Sequence, residues 1–218
     1  AVISGTIEVV TKQFQLDTVS VGWFVGCALI GSIIGVAFAG KISDVLGRKW
    51  TMLIAATLFT FSSIGCMFVN SFDVLIWCRI LGGMGIGVAS IVSPLYISEV
   101  SPARFRGTLV TLYQLAITVG ILASYFANAE VLKWATTGEF ESQAMRTIFQ
   151  TEYWRGMLGL CAVPALLFFL IIFFIPESPR WQIAKNNLAA AEKTLTKILG
   201  TEEALIQIEI TKNSLLKK

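Results

Sequence analysis

Apolar stretches of about twenty residues, at 19–40, 50–69, 74–96, 108–128 and 156–175, constrain this chain more than any other feature. About 20 apolar residues cross the ~30 Å hydrocarbon core of a bilayer as a helix, and a spanning helix satisfies its backbone N–H and C=O groups internally. The chain therefore reads as all-α and integral to a membrane. Residues 1–10 are too short to span alone and read as the distal part of a first span, which makes a six-helix bundle with a truncated first helix. Hydrophobic residues at 55%, charged residues at 14% and a mean hydropathy of +0.73 belong to the same class. The expected division is a transmembrane bundle over 1–176 and a cytoplasmic helical linker domain over 177–218.

After Pro179 the pattern becomes amphipathic. Leu188, Ala191, Leu195 and Ile198 share one face between Asn187 and Gly200, a start and stop pair for a short helix. Thr201 with Glu202 and Glu203 opens another, since acids suit a helix N-terminus. Charge location sets the orientation. Lys41, Arg48 and Lys49, then Arg104 and Arg106, then Arg180, Lys185, Lys193, Lys197, Lys212, Lys217 and Lys218 lie on one side. Lys12, Lys133, Arg146 and Arg155 lie on the other, with acids in excess of them. The first set is cytoplasmic by this rule, and the connection 130–153 reads as a polar outer surface loop.

Several function classes fall away. The net charge of +3 is split among short segments, which does not suit nucleic acid. The chain has no histidine, and its four cysteines sit inside apolar runs without paired spacing, so neither a metal site nor a disulfide framework is expected. No nucleophile triad or paired carboxylates appear, GGMGIG lies inside an apolar span with no strand before it, and neither an enzyme nor a bound cofactor is expected.

Arg79 is a charge inside the fourth span, which costs about 2.5–3.5 kcal/mol on insertion scales and marks an interior rather than a lipid face. Glycines at 83 and 87, and at 22, 26, 31 and 35 in the second span, leave flat surface for close helix packing. Arg79 with GGMGIG, the run SEVSPARFRG at 98–107, GKISDVLGRK at 40–49 and PESPRW at 176–181 together resemble the sugar porter family of the major facilitator superfamily. AVISG at 1–5 matches the end of that family's first-span pattern. The resemblance covers nearly the whole chain but only the amino-terminal half of such a protein.

The resemblance implies a carrier that moves a monosaccharide by alternating access, with a proton as coupling ion, in the inner membrane. Facilitated uniport, a non-transporting sugar sensor and a half-size protein that pairs with a copy of itself remain alternatives. It implies proton coupling through Arg79 with a first-span aspartate placed before Ala1, and the carboxy-terminal half of the same protein as partner. It also implies a cytoplasmic charge network of Asp44, Arg48, Lys49, Glu99, Arg104, Arg106, Glu177 and Arg180 that latches the two halves when the cavity faces outward. As exposed pairs these would be individually weak, and a solvated basic loop is the plainer reading. In the fifth span, Gln114 is expected to be buried, and its amide could serve either a sugar hydroxyl or an interhelical hydrogen bond. The family pattern, matched by Gln114, Ile117, Gly120 and Ile121, favours sugar contact, with Thr118 one turn along the same face.

Overall fold

The computed structural model describes residues 2–102, 104–137 and 143–216, and these contain no strand. Ala1, Ala103, Lys217 and Lys218, which carry parts of the patterns above, lie outside the described residues. The helices are α1 Val2–Phe14, α2 Thr18–Leu46, α3 Arg48–Phe68, α4 Phe72–Val100, α5 Arg106–Thr137 and α6 Gln143–Arg146. A π-helical turn Thr147–Thr151 follows. Then come α7 Tyr153–Gly159, α8 Ala162–Phe174, α9 Pro179–Ala184, α10 Leu188–Leu199 and α11 Thr201–Leu216. Among the described residues, five segments are long and apolar enough to cross a membrane: α2, α3, α4, α5 and the run Tyr153–Phe174 formed by α7 and α8.

Most helices outrun their apolar stretches, because hydrocarbon thickness limits the apolar run and not the helix. α2 continues past Gly40 through KISDVL to Leu46, and α5 continues to Thr137. The connection 130–153 is therefore not the polar loop its composition suggests. Val131 is fully buried, and Trp134 packs edge-on against Phe149 at 6.0 Å, so aromatic contacts hold a helix where periodicity is weak. The sixth span is broken at 160–161. Pro164 has no N–H to offer the Leu160 carbonyl, which accepts from Val163 N at 3.1 Å instead.

Helix ends follow local chemistry. Asp17 caps α2 by accepting from Ser20 N at 3.1 Å. Hydrogen bonds from the Ser20 hydroxyl and then its backbone N–H hold the Asp17 carboxyl below the usual carboxylate range. Gly47, at φ 95°, turns the chain from α2 into α3 in a conformation that suits glycine. Asn187 caps α10 through Ala190 N at 3.3 Å, and Gly200 ends it.

In lipid the attraction between helices comes from packing rather than from exclusion of water. The parallel pair α2 and α4 shows the most extensive contact of the bundle. A Cβ on Gly31 would lie 2.0 Å from the Ile80 carbonyl oxygen, on Gly35 2.3 Å from that of Met84, on Gly83 2.1 Å from that of Ala28 and on Gly87 2.2 Å from that of Ser32. Each helix thus contributes glycines against the other's backbone. Gly22 and Gly26, expected to do the same, meet nothing within 4 Å. α3 packs between α4 and α8. One buried cluster, including Phe24, Leu75 and Trp154, lies towards the end opposite the motif loops, and a second, including Val88, Val92 and Ile172, lies towards the motif end.

The opposite end is closed by Arg155, which is 5% exposed. Its guanidinium donates to the Met67 carbonyl at 3.1 Å, the Val69 carbonyl, Asn70 Oδ1 at 3.0 Å and the Glu152 carboxylate. It thereby satisfies the last carbonyls of α3. Gln13 of α1 joins through Glu152 and accepts from Trp154 Nε1 at 2.6 Å.

Candidate functional site

Arg79 lies seven residues into α4, about 10 Å along the axis at 1.5 Å per residue. Its Nε donates to the Phe24 carbonyl of α2 at 3.1 Å, and its guanidinium sits 4.8 Å from the centre of the Phe24 ring. A cavity of about 200 Å³ opens beside it, lined by Val2 and Ile3 of α1, Ser62 and Cys66 of α3, Gly83 of α4 and Cys161. Among the described residues no carboxylate forms an ion pair with Arg79. A carbonyl and a ring face supply only partial negative charge against a full positive one. The remaining guanidinium donors can serve an acid or hydroxyl brought into the cavity.

At the motif end, Arg48 is 8% exposed and binds Glu99 through two parallel bonds, Nε to Oε2 at 2.9 Å and Nη2 to Oε1 at 3.0 Å. Its Nη1 donates to the Ser43 carbonyl at 3.1 Å and to Asp44 at 3.2 Å. Glu99 also accepts from the Ser178 hydroxyl at 2.5 Å. Glu177 accepts from the backbone N–H groups of Arg48 at 2.9 Å and Lys49 at 3.1 Å, so a carboxylate caps the positive end of α3. Lys49 Nζ donates to the Phe173 carbonyl at 2.8 Å. Tyr96 Oη donates to the Pro176 carbonyl at 2.9 Å and Trp181 Nε1 to that of Asp44 at 3.0 Å. These bonds tie the ends of α2, α3, α4 and α8 to the start of α9.

The arrangement corrects two expectations. The central pair is not exposed: the Arg48 and Glu99 side chains are 10% and 5% accessible, and breaking such a pair costs about 3–5 kcal/mol. Among the described residues Arg104, Arg106 and Arg180 form no ion pair with it. Arg104 stacks 5.4 Å from the Phe105 ring, while Arg106 and Arg180 line a polar cavity of about 300 Å³ together with Glu99, Ser98, Gln207 and Thr211, so they border the network without pairing in it. Arg106 is the first residue of α5 and Arg180 lies in the first turn of α9. Ser178, Tyr96 and Trp181 escaped the sequence reading, although Ser178 and Trp181 stand inside the PESPRW motif that pointed to them.

α5 is attached differently. It meets α4 near its start and meets α1, α7 and the π-helical turn elsewhere, with Asn128 and Val131 its buried residues. Asn128 Nδ2 donates to the Val2 carbonyl at 3.1 Å. Gln114, Thr118, Ile117 and Ile121 lie on the stretch between, and all four are exposed. Gln114 is thus not the buried amide expected: the buried residues of α5, Asn128 and Val131, lie further along the helix. Thr118 Oγ1 donates to the Gln114 carbonyl at 3.2 Å. Ile117 lines an apolar cavity of about 300 Å³, together with Phe59, Ile86, Ser90, Tyr113 and Phe168.

Comparison with known proteins gives a consistent picture. The family described as "Sugar (and other) transporter" matches residues 4–218. The galactose-proton symporter of Escherichia coli is 35% identical over 216 residues, covering 98% of this chain and 43% of that protein. The glucose transport protein of Synechocystis sp. is 41% identical over 201 residues, 92% of this chain and 42% of that one. Among solved structures, the proton:xylose symporter XylE bound to 6-bromo-6-deoxy-D-glucose superimposes with a TM-score of 0.88 at 35% identity, covering 99% of this chain and 49% of that chain. The chain thus spans about half the length of the relatives it matches.

Proposed function

Because the chain belongs to the sugar (and other) transporter family, we propose that it works as the amino-terminal half of a secondary transporter that carries a monosaccharide across the membrane with a proton. The observation that carries the reading is Arg79, a cation held inside a membrane-crossing helix beside a cavity, with no acid paired to it among the described residues. A carboxylate entering that cavity would have its charged form favoured by Arg79, and protonation would release it. One proton would thereby be linked to one rearrangement. Gln114 and Thr118, with Ile117 and Ile121, present amide, hydroxyl and methyl groups along one side of α5, a mixture that suits a pyranose facing a second half of the protein.

The motif end is assigned to the cytoplasm on the basic excess of its loops and tail. There Asp44, Arg48, Lys49, Glu99 and Glu177 hold this half together, while Arg104, Arg106 and Arg180 are free to meet acids of the other half when the cavity faces outward. Arg79→Leu in the full-length protein is expected to abolish uphill sugar accumulation while membrane insertion persists. Accumulation at the parental level, measured with radiolabelled sugar under an imposed proton gradient, would refute the coupling role.

A further inference from the structure

A groove of about 630 Å³ runs between α2 and α4 near their N-terminal ends, and neither Arg79 nor Gln114 lines it. Its walls include Trp23, Ile30 and Ile34 of α2 and Asp73, Trp77 and Ile80 of α4. The glycine contacts explain its shape. They draw the two backbones together, so the longer side chains stand proud on either side of the seam. From Trp23 to Ile34 the groove covers about 16 Å of helix, roughly half the ~30 Å hydrocarbon core and so the depth of one leaflet.

Trp77 is 66% exposed and Trp23 54% exposed, and tryptophans stand at the headgroup level of membrane proteins. Between them and the helix start lies Asp73, exposed, in the first turn of α4. The N-terminus of α4 favours its negative charge, and Asp17 at the start of α2 adds a second. Neither carboxylate has an ion-pair partner among the described residues, and the nearby Lys12 is paired with Glu8. The mouth of an apolar groove on two membrane-crossing helices is therefore negative and flanked by aromatic faces that attract cations.

We infer that this groove holds a phospholipid with an ammonium headgroup, of the phosphatidylethanolamine class, with its ammonium at Asp73 and an acyl chain along Ile30, Ile34 and Ile80. A lipid with a net negative headgroup is disfavoured there by the same two carboxylates.

The test uses the full-length protein in detergent, titrated separately with phosphatidylethanolamine and phosphatidylglycerol of identical acyl chains and read by native mass spectrometry. The parent is expected to retain phosphatidylethanolamine preferentially. Asp73→Asn should weaken that retention about threefold, the scale of a partly screened ion pair, and should raise rather than weaken phosphatidylglycerol retention. Asp73→Glu should restore the preference, and Trp77→Ala should weaken both lipids. Equal retention of phosphatidylethanolamine by parent and Asp73→Asn would overturn the inference. So would equal retention of the two lipids by the parent, which would leave the groove to be covered by protein.

Discussion

α4 and α5 are consecutive helices joined by a short loop, yet they are held in opposite ways. Gly82, Gly83, Gly85 and Gly87 of α4 each have a neighbouring atom where a Cβ would go, whereas Gly107 and Gly120 of α5 meet nothing within 4 Å. α4 is welded to α2 and α3 along its length and ends in the buried Arg48–Glu99 pair. The middle of α5 stands uncovered. Glycine spacing therefore marks a surface built for close approach, and the tertiary structure decides whether the approaching partner belongs to the same bundle. A carrier that rocks needs both kinds of surface: a half that moves as one body, and a face left open to ligand and to the other half.

The contrast is broken most severely at Glu99. Glu99→Gln leaves Arg48 buried opposite a neutral amide and is expected to cost about 3 kcal/mol or more, read as thermal unfolding of the full-length protein in detergent. The same change should increase labelling of a cysteine placed on the cavity side of α2 or α5 from the cytoplasm. Unfolding and labelling both at the parental level would reduce the pair to a topology signal.

Next comes the seam between α2 and α4. Gly31→Val forces a side chain into the Ile80 carbonyl and should cost about 1–3 kcal/mol. Gly120→Ala on α5 should cost nothing and can gain up to about 1 kcal/mol from helix propensity. A loss at Gly120 as large as that at Gly31 would show that α5 is as tightly covered in the full protein as α4 is here.

Gln114→Ala sharpens the functional side of the contrast. Sugar affinity by calorimetry should fall by about 1–3 kcal/mol, with stability within about 0.5 kcal/mol of the parent. Unchanged affinity for the preferred sugar would remove Gln114 from the binding face.

The smallest effect belongs to Asp17 at the start of α2. Its carboxyl titrates below the ordinary value in the folded protein, so its contribution is complete above about pH 4, the unfolded value, and is lost as pH falls through the folded value. Asp17→Asn keeps a capping oxygen but cannot titrate. Its melting temperature should therefore fall less than the parent's between pH 5 and pH 3, and parallel pH profiles would count against the cap.

By itself the sequence determined the membrane class, the five long apolar segments, the caps at Asn187 and Gly200 and the family, because these depend on local runs and motifs that adjacent residues carry. It pointed to Arg79 for the same reason: a lone charge in an apolar stretch is visible without a partner. Only the tertiary structure decided which charges meet. Glu99 lies fifty-one positions from Arg48 and Glu177 far beyond both, and their convergence depends on how α4 and α8 return to the start of α3. The eight charged residues grouped by loop in the sequence separate in space into a network centred on the buried Arg48–Glu99 pair and three arginines that border cavities beside Glu99 without an ion pair to it among the described residues. Burial is likewise a property of the assembled helices, and so Gln114, with apolar neighbours in the sequence, stands exposed on α5.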